Sequence, residues 1–292
     1  MTGLALALVL AAAFLHATWN FLFKRAKDKP SFVLLFGLAS VVMYLPAFVF
    51  MVGRQPIPLE AWLAILASGV IHTFYFASLA RGYSVGDLSL VYPLARGTGP
   101  LLVPVWAALF LGERPTATGL AGILAVVGGV YVLHLRELSW RGLLAPLLSI
   151  RTRATRSALL TGVLISIYTT VDKIGVTHAE PFVYMYLFSA LYSLLYTPFV
   201  LTTSGWLAVR AEWRLNARSI LVVGFLVVFT YTMVLFAMTM SHVGYVAAAR
   251  ESGVVIGAAM GTVLLRESYG RAKLGGSILI AIGIAMIAMA GG

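Results

Sequence analysis

Residues 92–113 read YPLARGTGPLLVPVWAALFLGE, and residues 246–267 read VAAARESGVVIGAAMGTVLLRE. Each is an apolar run of helix length that carries an arginine near its start, Arg96 or Arg250, and ends on a glutamate, Glu113 or Glu267. Set 154 residues apart, the two segments share Ala95 with Ala249, Arg96 with Arg250, Gly99 with Gly253, Leu111 with Leu265 and Glu113 with Glu267. The same offset pairs Gly122 with Gly276 and Gly129 with Gly283. Nearer the start of each half an offset of 149 pairs Lys24 with Lys173 and sets Trp19 against Tyr168. An arginine inside an apolar run, a glycine three residues on and a glutamate 17 after the arginine is a demanding pattern to meet twice by chance. The chain therefore reads as two related halves.

The composition says what surrounds them. Apolar residues make up 61% of the chain, charged residues 11%, and mean hydropathy is +0.95. A soluble protein carries about a quarter charged residues, so too few are present here to cover a water-exposed surface. The net charge of +11 does not point to nucleic acid, because the basic residues fall in short gaps between apolar runs. That placement is expected of loops facing anionic lipid headgroups. No cysteine is present, which excludes disulfides, iron–sulfur clusters and a thiol nucleophile.

A hydrocarbon layer about 30 Å thick takes roughly 20 helical residues. The sequence predicts ten such runs: Thr2–Phe23, Ser31–Val52, Ala61–Ala80, Leu88–Leu111, Thr116–Leu135, Ala158–Gly175, Pro181–Thr203, Ser219–Met240, Val243–Leu265 and Leu274–Ala290. They are continuous rather than alternating, and a helix satisfies its own backbone in lipid. The first run lacks a charged lead-in and is followed by Lys24, Arg25, Lys27 and Lys29, so it reads as a true span rather than a signal peptide. The expectation is an all-α integral membrane protein with residues 1–140 as a first five-helix repeat, 141–156 as a basic linker and 157–292 as a second. Because five is odd, the second repeat enters the membrane from the opposite side. Inverted repeats of this kind place a substrate site at their interface and expose it to each side in turn. Sixteen of the 21 Lys and Arg fall in the odd-numbered loops. This bias predicts a multi-pass protein of a bacterial inner membrane with both termini outside.

Ten spans as five plus five, Gly112-Glu113 and Arg266-Glu267 closing spans four and nine, and glycine-rich spans five and ten resemble the EamA-type branch of the drug/metabolite transporter superfamily. The likeness covers nearly the whole chain. It implies that spans one, three, four, six, eight and nine surround a central cavity while five and ten pack outside it. His16-Ala17-Thr18-Trp19-Asn20, with Lys24 a turn on, resembles a subgroup associated with phosphonate metabolism. Members of the family have cytoplasmic termini, and the charge bias here departs from that.

Arg96 and Arg250 lead the candidate site residues. A charge at the middle of a span costs roughly 2.5–3.5 kcal/mol on insertion scales, so it faces a cavity or a partner. Two guanidiniums on one cavity would suit a carboxylate, phosphate or phosphonate. The alternative is structural, with each arginine paired or bonded to broken backbone near Pro93 and Pro100. Glu251 reads as the only carboxylate deep inside a span, either as the coupling group or as a buried partner of Arg96. His16, Asn20 and Lys24 share one helical stripe with Trp19 beside it, as a cavity wall or as bonds between helices. Tyr92, one turn before Arg96, is a further cavity candidate, as are His72, Tyr75, Tyr168 and Tyr231. Asp172 and Lys173 lie near a span end and read as solvent-exposed. Pro93, Pro100 and Pro104 predict a broken span four. Gly253, Gly257 and Gly261 predict close helix contact.

No P-loop, H-E-x-x-H or G-x-S-x-G is present, and Gly97-Thr98-Gly99 lacks the strand and third glycine of a dinucleotide site. The reading is a transporter, not an enzyme, with no catalytic residue, cofactor or metal. Its partners are a small-molecule substrate and the lipid bilayer, with no nucleic acid, as a monomer or homodimer. It is expected to move a small organic anion or zwitterion by alternating access, with proton coupling as an option. The alternative is an exporter of amino acids or amphipathic drugs with an aromatic site. A membrane scaffold or lipid enzyme is a third class, marked by an open interfacial groove rather than a central cavity.

Overall fold

The computed structural model describes residues 1–54, 56–85, 88–135, 152–265 and 270–290, with the side chains of 80–85, 88–93, 154, 261 and 263–265 left aside. Helices account for nearly all of them, and no strand occurs among the described residues. In chain order they are α1 (Gly3–Lys24), α2 (Lys29–Val52), α3 (Leu59–Val85), α4 (Leu88–Phe110), α5 (Ala117–Leu133), α6 (Arg153–His178), α7 (Pro181–Thr203), α8 (Gly205–Met240), α9 (Val243–Ala249), α10 (Ser252–Leu265) and α11 (Arg271–Met289). Seven of them contain a stretch long and apolar enough to cross a bilayer, while the apolar parts of α4 and α5 are shorter. Side chains just before the helices fix several starts by accepting orphan backbone N–H groups. Thr2 takes that of Ala5 at 3.2 Å, Asp28 that of Ser31 at 2.9 Å, Thr116 that of Gly119 at 3.1 Å and Glu180 that of Val183 at 2.8 Å.

Three elements differ from the sequence reading. The ninth run is not one helix. α9 stops at Ala249 and α10 begins at Ser252, so Arg250 and Glu251 occupy the break. There the backbone tightens to three-residue hydrogen bonds, with Glu251 N–H donating to Ala248 O at 3.0 Å and Gly253 N–H to Arg250 O at 3.1 Å. The fourth run, in contrast, stays helical through Pro93, Pro100 and Pro104. The seventh loop is itself helical. α8 has 36 residues, about 54 Å at 1.5 Å per residue, so it cannot be a single upright span. It bends at Asn216, where φ is −127° and ψ is 18°. Before the bend, Trp206, Leu207, Trp213 and Leu215 are exposed alongside Arg210 and Arg214, the mixture suited to a headgroup layer. Glu212 points inward and accepts the backbone N–H of Asp28 at 2.9 Å, which ties this segment to the α1–α2 turn.

Packing follows the repeat. With α1 to α5 equivalent to α6, α7, α8, α9–α10 and α11, the contacts come in related pairs. α3 lies on α6 as α8 lies on α1, and α2 on α8 as α7 on α3. α4 meets α6 as α9–α10 meet α1. α5 packs on α11 more extensively than any other two helices pack. Its face is built from the repeated glycines. A Cβ added at Gly122 would lie 2.7 Å from Gly283 O, and one at Gly283 would lie 2.6 Å from Gly122 O. Gly129 and Gly276 stand in the same reciprocal relation at 2.7 and 2.6 Å. Exchanging each glycine for its repeat equivalent turns one pair into the other, as a pseudo-twofold axis requires. Without a hydrophobic drive between helices in lipid, backbone contact of this kind is the main source of association. Gly253 likewise faces Ala13 of α1, whereas Gly257 has no such neighbour.

Gly122→Ala and Gly276→Ala should each destabilise the detergent-solubilised protein by about 1–3 kcal/mol through overpacking. Gly257→Ala should not, because its Cβ meets nothing within 4 Å. Melting curves of the three variants decide this, and equal losses in all three would contradict the packing account.

Candidate functional site

The halves enclose a cavity of about 740 Å³, part of it open to solvent. His16, Trp19, His72, Tyr75, Arg96, Tyr168, Tyr231 and Arg250 all line it. A second space of about 530 Å³ shares His16, Trp19, Tyr75 and Arg96, and extends to Asn20 and Phe23 near the end of α1. The side chain of Tyr92 lies outside the described residues. α5 and α11 add nothing to the wall of either space, whereas α2 contributes Phe36 and α7 contributes Met185, Phe188 and Tyr192. Spans two and seven are therefore additions to the lining that the family resemblance implied.

The two arginines are treated differently. Arg96 is clamped in bidentate fashion by Glu251, with Nη2 to Oε1 at 3.0 Å and Nε donating to Oε2 at 3.1 Å. The pair joins α4 of one half to the break between α9 and α10 of the other. The Arg250 guanidinium has no hydrogen bond or ion pair among the described residues. Its Cζ lies 5.1 Å from the centroid of the Tyr231 ring, a cation–π contact. The buried Nε1–H of Trp19 also has no acceptor among the described residues. The Arg250 guanidinium thus stands on the cavity wall without a hydrogen-bond acceptor among the described residues.

Aromatic rings form the rest of the wall. His72 is buried and sits 4.1 Å from the Tyr168 ring and 4.8 Å from that of Phe188. Its Nδ1 is within 2.9 Å of Ser68 O and 3.1 Å of Ser68 Oγ. His16 meets Trp19 edge-on at 4.6 Å. Asn20 spends its amide on the carbonyl of His16 at 3.0 Å, within its own helix. Lys24 is exposed at the helix end.

Asp172 overturns the expectation of solvent exposure, and Glu251 is not the only deep carboxylate. α6 runs on to His178, so Asp172 lies almost two turns inside it and is fully buried. Ser68 Oγ donates to its Oδ1 at 2.5 Å and Tyr184 O–H at 2.8 Å, while Tyr231 O–H donates to Oδ2 at 2.5 Å. The same tyrosine therefore touches Asp172 with its hydroxyl and Arg250 with its face. The available signal was spacing, since Asp172 is four residues after the cavity candidate Tyr168 on one helical face. Lys173 is not free in solvent either. It pairs with Glu113 at 3.3 Å and donates to the carbonyls of Met238 at 2.5 Å and Ser241 at 3.1 Å. Glu113 also accepts the Val243 N–H at 2.7 Å, at the start of α9. Among the described residues, no group of three or more His, Asp or Glu could hold a metal ion.

The model of the EamA-like transporter family matches residues 3–135 and 155–289 of this chain. The triose phosphate/phosphate translocator of non-green plastids from Brassica oleracea var. botrytis is 29% identical over 142 residues, 48% of this chain and 35% of that protein. Phosphoenolpyruvate/phosphate translocator 1 of Arabidopsis thaliana is 28% identical over 142 residues, 48% of this chain and 34% of that one. The match thus spans about a third of the length of these relatives. A crystal structure of a protein 18% identical superposes with a TM-score of 0.69 over 98% of this chain and 97% of the other.

Removing one member of a buried ion pair leaves an uncompensated charge, at a cost of about 3–5 kcal/mol. Glu251→Ala should lose that much stability, and the double variant Arg96→Met/Glu251→Met should recover most of it. Unfolding in detergent measures both, and a double variant as unstable as the single one would refute the pairing as the cause.

Proposed function

The chain belongs to the EamA-like transporter family, within the drug/metabolite transporter superfamily, and from that premise we propose that this membrane solute transporter carries a small organic anion or zwitterion by alternating access. The observation that carries the reading is Arg250. A charge held at mid-span is costly unless it is compensated. Arg96 has its compensation in Glu251, and the Arg250 guanidinium rests on the face of Tyr231 with no ion pair among the described residues. A guanidinium left with its fork free accepts an oxyanion through paired N–H donors. The names of the two plant relatives, a triose phosphate/phosphate and a phosphoenolpyruvate/phosphate translocator, fit solutes of this chemistry.

Glu251, held at both oxygens by Arg96, is read as that arginine's counter-charge rather than as the coupling carboxylate. Alternating access draws support from the ends of the helices. The second space leads from the cavity toward the α1 terminus at Phe23. At the opposite end, the Glu113–Lys173 pair ties α6 to the α4–α5 connection and to the α8–α9 turn. One end is thus latched while the other is approached by empty space. The aromatic wall of His72, Tyr75, Tyr168 and Phe188 favours the second reading, an exporter of amino acids or amphipathic drugs.

A ligand that binds only the folded state raises its apparent stability. Phosphate- and carboxylate-bearing solutes should raise the melting temperature of the purified protein. Arg250→Ala should weaken that binding by about 10- to 100-fold, the value of one or two hydrogen bonds to a charged group. Stabilisation by aromatic cations alone, unchanged in Arg250→Ala, would overturn the anion reading in favour of the exporter.

A further inference from the structure

We propose that Asp172 is a proton-binding site whose charge state sets the affinity of Arg250 for its anion. The inference rests on the cavity being an anion site, and it concerns a different residue on a different helix. Asp172 has no ion pair among the described residues, and its three hydrogen bonds come from hydroxyls. The ionisable groups around it are His72 on α3, Tyr184 on α7, Tyr231 on α8, Tyr168 on its own helix and Arg250 at the end of α9. The other cations near this part of the bundle are committed elsewhere, Arg96 to Glu251 and Lys173 to Glu113. Arg250 is therefore the cation of this group that has no carboxylate partner among the described residues, and Tyr231 touches both it and Asp172.

The charge balance follows. With the cavity empty, Arg250 and Asp172 offset one another through the Tyr231 side chain. An anion that docks on Arg250 takes that compensation for itself and leaves Asp172 as one negative charge too many in a low-dielectric interior. A proton taken up by Asp172 restores the balance, so a monoanion and one proton enter together. Tyr231 supplies the route. Its hydroxyl lies on Oδ2, and its ring lines the cavity. The phenol passes its proton to the carboxylate as it accepts one from a hydronium ion entering the cavity, which leaves as water, and no net charge is left on the ring. Linkage makes the effect reciprocal: if the proton tightens anion binding, the anion tightens proton binding by the same factor.

The test is binding of pyruvate and of sulfate to the detergent-purified full chain, because both keep constant charge between about pH 5.5 and about pH 8, well above their acid ranges. The wild type should bind more tightly at the lower pH, by about 5- to 150-fold, the usual span of a coupling between two sites. Asp172→Asn, which resembles the protonated acid, should bind with a flat pH profile at the tight level, and Asp172→Glu should restore a pH dependence. In weakly buffered solution, adding pyruvate to the wild type should draw up to one proton per bound ligand, a reading that needs no variant to fold. A wild-type profile that is flat, that follows sodium instead of pH, or that survives unchanged in Asp172→Asn overturns this inference and leaves the anion site standing. Failure of the wild type to bind either probe at any pH overturns the anion reading together with it.

Discussion

Every charge carried into hydrocarbon must meet a counter-charge, a dipole or water, and the interior of this bundle is arranged around that demand. Arg96 reaches across the repeat boundary to Glu251. Lys173 takes a carboxylate and two carbonyls released at the end of α8. Asp172 gathers hydroxyls from three other helices. Each of these contacts joins elements distant in sequence, so satisfying the charges also fixes how the helices stand. Arg250 is satisfied least, and it faces the empty space.

The halves are symmetric in packing and asymmetric in charge. The paired glycines of α5 and α11 obey the pseudo-twofold relation closely, as do the helix contacts around them. The departure lies one residue past each arginine, where the first repeat has Gly97 and the second has Glu251. That single carboxylate bonds the arginine of the other repeat rather than its own neighbour, because consecutive side chains in the tightened turn point about 120° apart. Of two equivalent guanidiniums, one is thereby paired and the other has no ion pair among the described residues. Strict symmetry would have left either two unpaired cations or none.

Much of this was legible in the sequence. The all-helical membrane class came from composition and run length, and the repeat came from the arginine, glycine and glutamate register. The cavity face of α1 was visible at His16 and Trp19 from helical spacing. What escaped depends on contacts between distant residues. Asp172 read as exposed because apolarity wanes after Gly175, yet α6 continues and Ser68, Tyr184 and Tyr231 close over the carboxylate. The break of span nine was hidden because neither Arg250 nor Glu251 is a helix breaker, whereas the prolines of span four drew attention to a helix that runs through them. The helix before Asn216 was hidden by its arginines, whose charge reads as loop although their alkyl stems and the neighbouring tryptophans suit a headgroup layer.

Asp172 and Lys173 are consecutive residues on α6. One side chain is held by hydroxyls beneath the cavity and the other by the glutamate that latches the far end of the bundle. A single peptide unit therefore sits between the carboxylate proposed to respond to the cargo and the ion pair proposed to hold the far end closed. Because the two grips lie one residue apart on one helix, a movement of α6 that disturbs one reaches the other. On the proposed reading, proton binding and closure share a lever arm of one residue, and no long relay through the bundle is needed to connect them.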